Sequence, residues 1–145
     1  MPSIRNVAVG LPVRAGHVLV LDGLDTVKNE PFHRAIGGGI EFGETAEAAL
    51  RREFREELDV ALSNVELLGV SENIFEYEGR PGHEIVHIFG VESDELDAVP
   101  LDARLQILDE GSPVSWRPIS GLDRPLYPRG TVELLHAWVL RPAAE

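Results

Sequence analysis

The sequence predicts an α/β fold in which a mixed sheet lies between helices. Three observations carry that expectation: strand-length apolar runs recur from Asn6 to Trp116, one strongly striped helix follows Thr45, and a second helical stripe follows Thr131. At 145 residues, with no linker-like or low-complexity stretch, the chain suits a single domain over residues 1–145.

Val7, Val9 and Leu11 alternate within Asn6–Pro12, and Val18–Leu21 runs apolar without a break, so two strands open the chain. Asp22 to Pro31 is polar with Gly23 inside it, which predicts a loop. His33–Ile36 resumes extended structure and runs into Gly37-Gly38-Gly39, a stretch expected to lie outside regular elements. Thr45 is placed to cap a helix, with Glu47 supplying the acid that an N-terminus favours. Ala46, Ala49, Leu50, Phe54 and Leu58 then recur at spacings of three and four. The stripe ends at Leu58-Asp59, and Asp tolerates the left-handed conformation common past a helix end. Val65–Tyr77 and Ile85–Val91 read as long strands joined by a Glu78–Gly82 hairpin loop. Asp94–Asp102 is acidic and loop-like, Ser112–Trp116 is a short strand, and Thr131–Leu140 is a helix stopped by Pro142.

Composition excludes several function classes. With 25 acids against 13 Lys and Arg the formal charge is −12, so a nucleic acid polymer or an anionic membrane surface is not the expected partner. Zero cysteines exclude a disulfide scaffold, a thiolate metal site and a cysteine nucleophile. No apolar run reaches the ~18 residues of a membrane span, and the first residues lack a signal-like apolar core, so a cytoplasmic protein is the expectation.

Glu53, Glu56 and Glu57 stand at i, i+3 and i+4, which puts three carboxylates on one side of the first helix. One reading is a solvated face balanced by Arg51, Arg52 and Arg55. The other is a hard-cation site, since convergent carboxylate oxygens suit Mg²⁺ or Mn²⁺. The glycines before the helix tip the balance: they strip side chains from a backbone whose carbonyls can then approach an ion, although a tight turn alone would also use them.

The arrangement as a whole resembles the Nudix box. That signature is Gly, any five, Glu, any seven, Arg-Glu, an aliphatic or aromatic residue, any, Glu-Glu, any, Gly, and an aliphatic residue. Gly38, Glu44, Arg52, Glu53, Phe54, Glu56, Glu57 and Val60 match eight of its nine specified positions. At ordinary residue frequencies the six matched Gly, Glu and Arg positions alone coincide at one site with a chance on the order of 10⁻⁸. Asp59 replaces the second glycine, and Ile36 stands where many members have proline before the glycines.

The resemblance implies a Nudix-type α/β/α sandwich and hydrolysis of a pyrophosphate bond in a nucleoside diphosphate linked to a moiety X. It implies that Glu53, Glu56 and Glu57, with a carbonyl near Gly37–Gly38, hold one to three Mg²⁺ or Mn²⁺ ions, and that Glu44 and Arg52 form a supporting salt bridge. A further acid from a distant loop is a family habit. Glu110–Trp116 resembles the acidic-loop-then-tryptophan segment of mutator-type nucleoside-triphosphate pyrophosphatases, so Glu110 is the candidate, with Asp109 and Glu84 as competitors. Tyr77, 17 residues past Val60, lies close to where a tyrosine marks the dinucleoside-polyphosphate branch, with cross-strand packing as its alternative. His83 and His87 are candidates for phosphate or base contact, and Phe75, Tyr77 and Trp116 for base stacking, against ordinary sheet packing. No base-reading segment of the mutator type follows Trp116, which argues against sanitation of oxidised nucleotides. A small-molecule nucleotide is the expected partner, and a homodimer is a family-level expectation. The alternatives are a non-catalytic Nudix-fold nucleotide sensor or interaction domain, against which all four box glutamates stand, and an acidic structural protein.

Overall fold

The computed structural model describes residues 2–141. Two strands open the chain, β1 (Arg5–Arg14) and β2 (His17–Asp25). The turn between them, Ala15-Gly16, has positive φ at both residues, as a tight hairpin requires. Strands β3 (Glu30–Arg34) and β4 (Ile36–Gly39) lead to helix α1 (Ala46–Leu58). The long hairpin β5 (Asn64–Tyr77) and β6 (Arg80–Glu92) follows. A helical turn α2 (Asp94–Asp97), strands β7 (Arg104–Gln106), β8 (Pro113–Pro118) and β9 (Leu126–Tyr127), and helix α3 (Thr131–Val139) complete the chain. Pro142, the expected stop for the last helix, lies outside the described residues.

Strand β1 is the axis of the sheet. It runs parallel to β6 from Arg5↔Glu84 to Pro12↔Val91, antiparallel to β4 from Val7↔Gly39 to Gly10↔Ile36, and antiparallel to β2 at its far end. The mixed sheet of the expected α/β class is therefore present. Its two faces bury separate cores. Ala8, Leu19, Ile36, Phe89 and Val114 pack with Ala49, Leu50 and Phe54 of α1. Val7, Val9, Leu11, Val18, Val86 and Ile88 pack with Leu135 of α3. Two successive residues of β1 point to opposite faces, so this one strand feeds both cores.

Helix α1 follows its sequence signals at both ends. Thr45 Oγ accepts from Ala48 N at 3.1 Å, and Asp59 takes φ 55°, ψ 42° with its N–H donating to Arg55 O at 3.0 Å. Four expectations are corrected. The glycine run is not outside regular structure, because Ile36–Gly39 is a strand held by the β1 ladder. The Glu78–Gly82 loop contracts to a Glu78-Gly79 turn with two positive φ values, so Arg80 is already in the ladder opposite Tyr77. The expected Asp22–Pro31 loop keeps strand pairing at both ends, where Asp25↔Glu30 closes a hairpin. The acidic Asp94–Asp102 stretch begins with a helical turn capped by Ser93, whose Oγ accepts from Leu96 N at 3.3 Å. Among the described residues no helix is long and apolar enough to cross a membrane.

Candidate active site

The site is built where β4 passes beneath α1. Gly38 pairs with Ala8 on β1, and the Glu53 carboxyl lies over it: a Cβ on Gly38 would sit 2.6 Å from the Glu53 carboxyl carbon. Gly37 has a different reason to be glycine, since a Cβ there would meet the Ala8 carbonyl oxygen at 2.0 Å. One glycine admits a carboxylate and the other admits backbone.

Arg52 organises the acids around this point. Its Nε and Nη2 donate to the two oxygens of Glu44 at 2.8 and 2.9 Å, and Nη2 also donates to Gly39 O at 3.0 Å. This two-pronged bond ties the loop before the helix to the helix itself. It holds the Glu44 carboxyl down at about 2, first through the Arg52 bond and then through the Glu41 backbone N–H. The remaining nitrogen, Nη1, donates to Glu53 at 2.9 Å and Glu56 at 3.3 Å. Arg51 and Arg55 face away from the site, paired with Glu47 and Asp59.

Glu57 is in another electrostatic situation. Burial, the hydrogen bond that its protonated form donates to the neighbouring Glu53 side chain, and the charges of Glu53 and Asp109 push its carboxyl up to about 8, while Arg34 works in the opposite direction. Two carboxyl groups are thus neighbours, one of them over a glycine, a repulsion that a hard cation relieves. The donor set fits Mg²⁺ or Mn²⁺ in its chemistry. The three glutamates do not yet converge, because Glu56 is exposed and turned to Arg52. Among the described residues no group of three or more His, Asp or Glu side chains is closed up for a metal.

The distant acidic loop reaches the helix as its position requires. Leu108 N donates to Glu57 O at 2.9 Å, and buried Ile107 anchors the loop in the first core. Within the loop Asp109 acts on Glu57, whereas the exposed Glu110 carboxylate accepts from Ser112 Oγ. Glu84 lies on the other face of the sheet, on the side of Val86, and pairs with Arg5 at 3.4 Å.

The expected nucleoside contacts separate into open and closed groups. Trp116 is a core residue, 5% exposed, with the Arg14 guanidinium 5.3 Å from its ring centroid, so its ring is packed inside the protein. Tyr77 is half-exposed at the hairpin tip and meets Phe32 edge-on at 5.9 Å. A surface cavity of about 480 Å³ there is lined by Phe75, Tyr77, Glu78, Arg80, Pro81 and Gly82, none of them from the box. His83 Nε2 lies 2.9 Å from Glu72. His87 stands in one row with Val70, Ala8 and Gly38 across four strands, and its buried Nδ1 has no hydrogen-bond partner.

Sequence reasoning missed Arg34. It alternates on β3 with His33 and Ala35, which are buried toward the second face, and its ladder partner Leu21 packs against the first core. Arg34 is therefore on the face of α1. The alternation was the available signal, masked by the irregular Asp22–Pro31 stretch before it. His33 also went unread: it is wholly buried, 2.8 Å from Asp22, which in turn accepts from Arg117 at 2.8 Å.

A family sequence model described as the NUDIX domain matches residues 4–135. The MutT NUDIX hydrolase from Burkholderia pseudomallei is similar in structure at 21% identity and TM-score 0.66, over 92% of this chain and 97% of that one. The E. coli ORF135 protein is similar at 24% identity and TM-score 0.64, over 99% and 96% of the two chains. A structure of an ADP compounds hydrolase is similar at 14% identity and TM-score 0.58, over 95% and 74%. No curated protein matches the sequence.

Proposed function

Since the chain belongs to the Nudix family of pyrophosphohydrolases, we propose that it hydrolyses a phosphoanhydride bond in a nucleoside diphosphate linked to a second moiety. The observation that carries this reading is the Glu53 carboxyl over Gly38 with the Glu57 carboxyl beside it, and Glu56 one turn along on the same side. These three glutamates, with a β4 carbonyl, would hold a divalent cation. When bound, Mg²⁺ or Mn²⁺ neutralises pyrophosphate charge and lowers the pKa of the attacking water.

The chain's own groups do the rest. Arg52 and Glu44 fix the loop so that the glycines stay beneath the helix. A carboxylate of the 107–111 loop takes the proton of the water as its oxygen bonds to phosphorus and the bridging P–O bond breaks. Asp109 is the loop acid that acts on Glu57, and Glu110, which accepts from Ser112, is the alternative beside it in the chain. The nucleoside would lie along the open part of the sheet beside Gly38, where His83, Ile85 and His87 are half-buried and Val70 and Ile74 exposed.

A screen of nucleotide sugars, dinucleoside polyphosphates, ADP-ribose and nucleoside triphosphates with Mg²⁺ or Mn²⁺ tests the reading. Release of a nucleoside monophosphate is expected, with Glu56→Gln and Glu57→Gln each reducing it by roughly 10²-fold or more. Undiminished turnover in both variants would overturn the site.

A further inference from the structure

We propose that Arg34 binds a non-bridging phosphate oxygen of the substrate, beside Glu57. The proposal rests on the pyrophosphohydrolase reading and adds to it the group that receives the substrate's anionic charge.

Arg34 is half-buried, and among the described residues its side chain forms no hydrogen bond and no ion pair. Most other arginines near the sheet are spoken for: Arg5 by Glu84, Arg14 by the carbonyls of Asp97 and Val99, Arg52 by Glu44, Arg117 by Asp22. Its nitrogens are not among the side-chain atoms closed off from water without a partner, so a guanidinium on a half-buried stem stands open to a ligand that supplies acceptors. A simple counter-ion for Glu57 would close to within ion-pair distance, as Arg52 does on Glu44; Arg34 influences Glu57 without bonding to it.

Its mounting suits a positioning task. Strand β3 is held on one side by β2 and on the other by β9, where Arg34 pairs with Tyr127. The adjacent His33 is locked between strands by Asp22. The side chain therefore leaves a fixed backbone on the face of α1, where Ile107 and the Leu108–Glu57 bond bring the acidic loop. A substrate with two or more phosphates enters a 23-residue box that carries seven acids and three arginines. Bound metal offsets part of that repulsion. The planar fork of an arginine, with five donors and no acceptor, offsets more and fixes an orientation.

The test uses methylenediphosphonate, a P–C–P analogue that is not hydrolysed, titrated calorimetrically into the full chain with saturating Mg²⁺. Mg²⁺ alone is titrated in parallel. Arg34→Gln is expected to weaken diphosphonate binding roughly 10- to 100-fold, as loss of a charged two-pronged contact does. It should leave Mg²⁺ binding unchanged or tighter, because a cation near Glu57 has gone. Arg34→Lys should recover part of the loss, and Arg104→Gln on exposed β7 should show none. Equal diphosphonate affinity in Arg34→Gln and the parent overturns the proposal while leaving the pyrophosphate reading intact. Loss of Mg²⁺ binding in Arg34→Gln also overturns it, by showing a structural role. If the parent chain binds Mg²⁺ but not the diphosphonate, the pyrophosphate reading itself falls.

Discussion

In the metal-free protein Glu57 holds a proton at neutral pH, and any cation that takes its place must expel that proton. With the Glu57 carboxyl pushed up to about 8, the Glu53–Glu57 pair keeps a proton at pH 7 and has largely lost it by pH 9. Binding of Mg²⁺ through an ionised Glu57 therefore releases most of a proton per site at pH 7 and little at pH 9. Apparent affinity should rise nearly tenfold per pH unit up to 8 and then level off. Calorimetry in two buffers of different ionisation enthalpy reads the released proton directly. The same group sets a stability trend. Between its ordinary value of 4.5 and about 8 the folded chain binds the proton and the unfolded chain does not, so metal-free stability falls as pH rises through that window. Glu44 contributes no slope there. Its carboxyl is lowered to about 2, so its stabilisation is complete above 4.5 and is lost only as pH falls toward 2. Thermal unfolding with a chelator should thus show a Tm that declines from pH 5 to pH 8, and Mg²⁺ should restore it most at the alkaline end. Glu53→Gln, by removing a like charge beside Glu57, should reduce the proton release at pH 7. Intact Mg²⁺ binding with no proton release at pH 7 would refute the argument.

Gly37→Ala should destabilise the chain by ~3 kcal/mol or more, because its Cβ meets the Ala8 carbonyl at 2.0 Å; a Tm lower by roughly 6–12 °C is the readout. Gly38→Ala should do the opposite, keeping Tm within a few degrees while lowering Mg²⁺ affinity, since its Cβ displaces only the end of the Glu53 side chain. Equal effects of the two on Tm would remove the distinction drawn between them. Asp59→Gly relieves a left-handed residue and loses one exposed Arg55 pair at 3.4 Å. The balance is a gain of about 0.5–1 kcal/mol, seen as a Tm higher by roughly 1–4 °C with activity unchanged. Glu44→Ala frees Arg52 to close on Glu53 and Glu56, so Mg²⁺ affinity should fall by roughly 10- to 100-fold without loss of a metal ligand.

Helix α1 was legible to within a residue, because its cap, stripe and termination are all local signals that Thr45, Phe54 and Asp59 carry by themselves. The β5–β6 pairing was legible for the same reason. What escaped were elements that exist only through partners. Strand β4 has three glycines in four residues and no intrinsic preference for extended structure; it is a strand because β1 offers it a ladder. Strands β7 and β9, of three and two residues, likewise owe their pairing to β8 and β3. The box glutamates were legible from spacing alone, but their unequal surroundings were not. Arg52 reaches Glu53 and Glu56 but leaves Glu57 to burial and Asp109, which is set by tertiary packing. Trp116 was left between two readings because an aromatic on a short strand has no mark that tells a stacking platform from a core plug. Arg14, a hundred residues earlier, is what covers it.

The central position of β1 governs how the chain can be made. Its parallel partner β6 is joined to it across some eighty residues, from Arg5↔Glu84 to Pro12↔Val91. A nascent chain emerging from the ribosome therefore exposes Val7, Val9 and Leu11 with only the β2 hairpin and β4 to pair with, and neither core can close until Glu92 is out. Early synthesis leaves a strand that belongs to both faces of the finished sheet bare along its β6 edge. Folding must then wait for long-range closure and proceed after most of the chain exists, a slow, late step that depends on topology more than on any single contact.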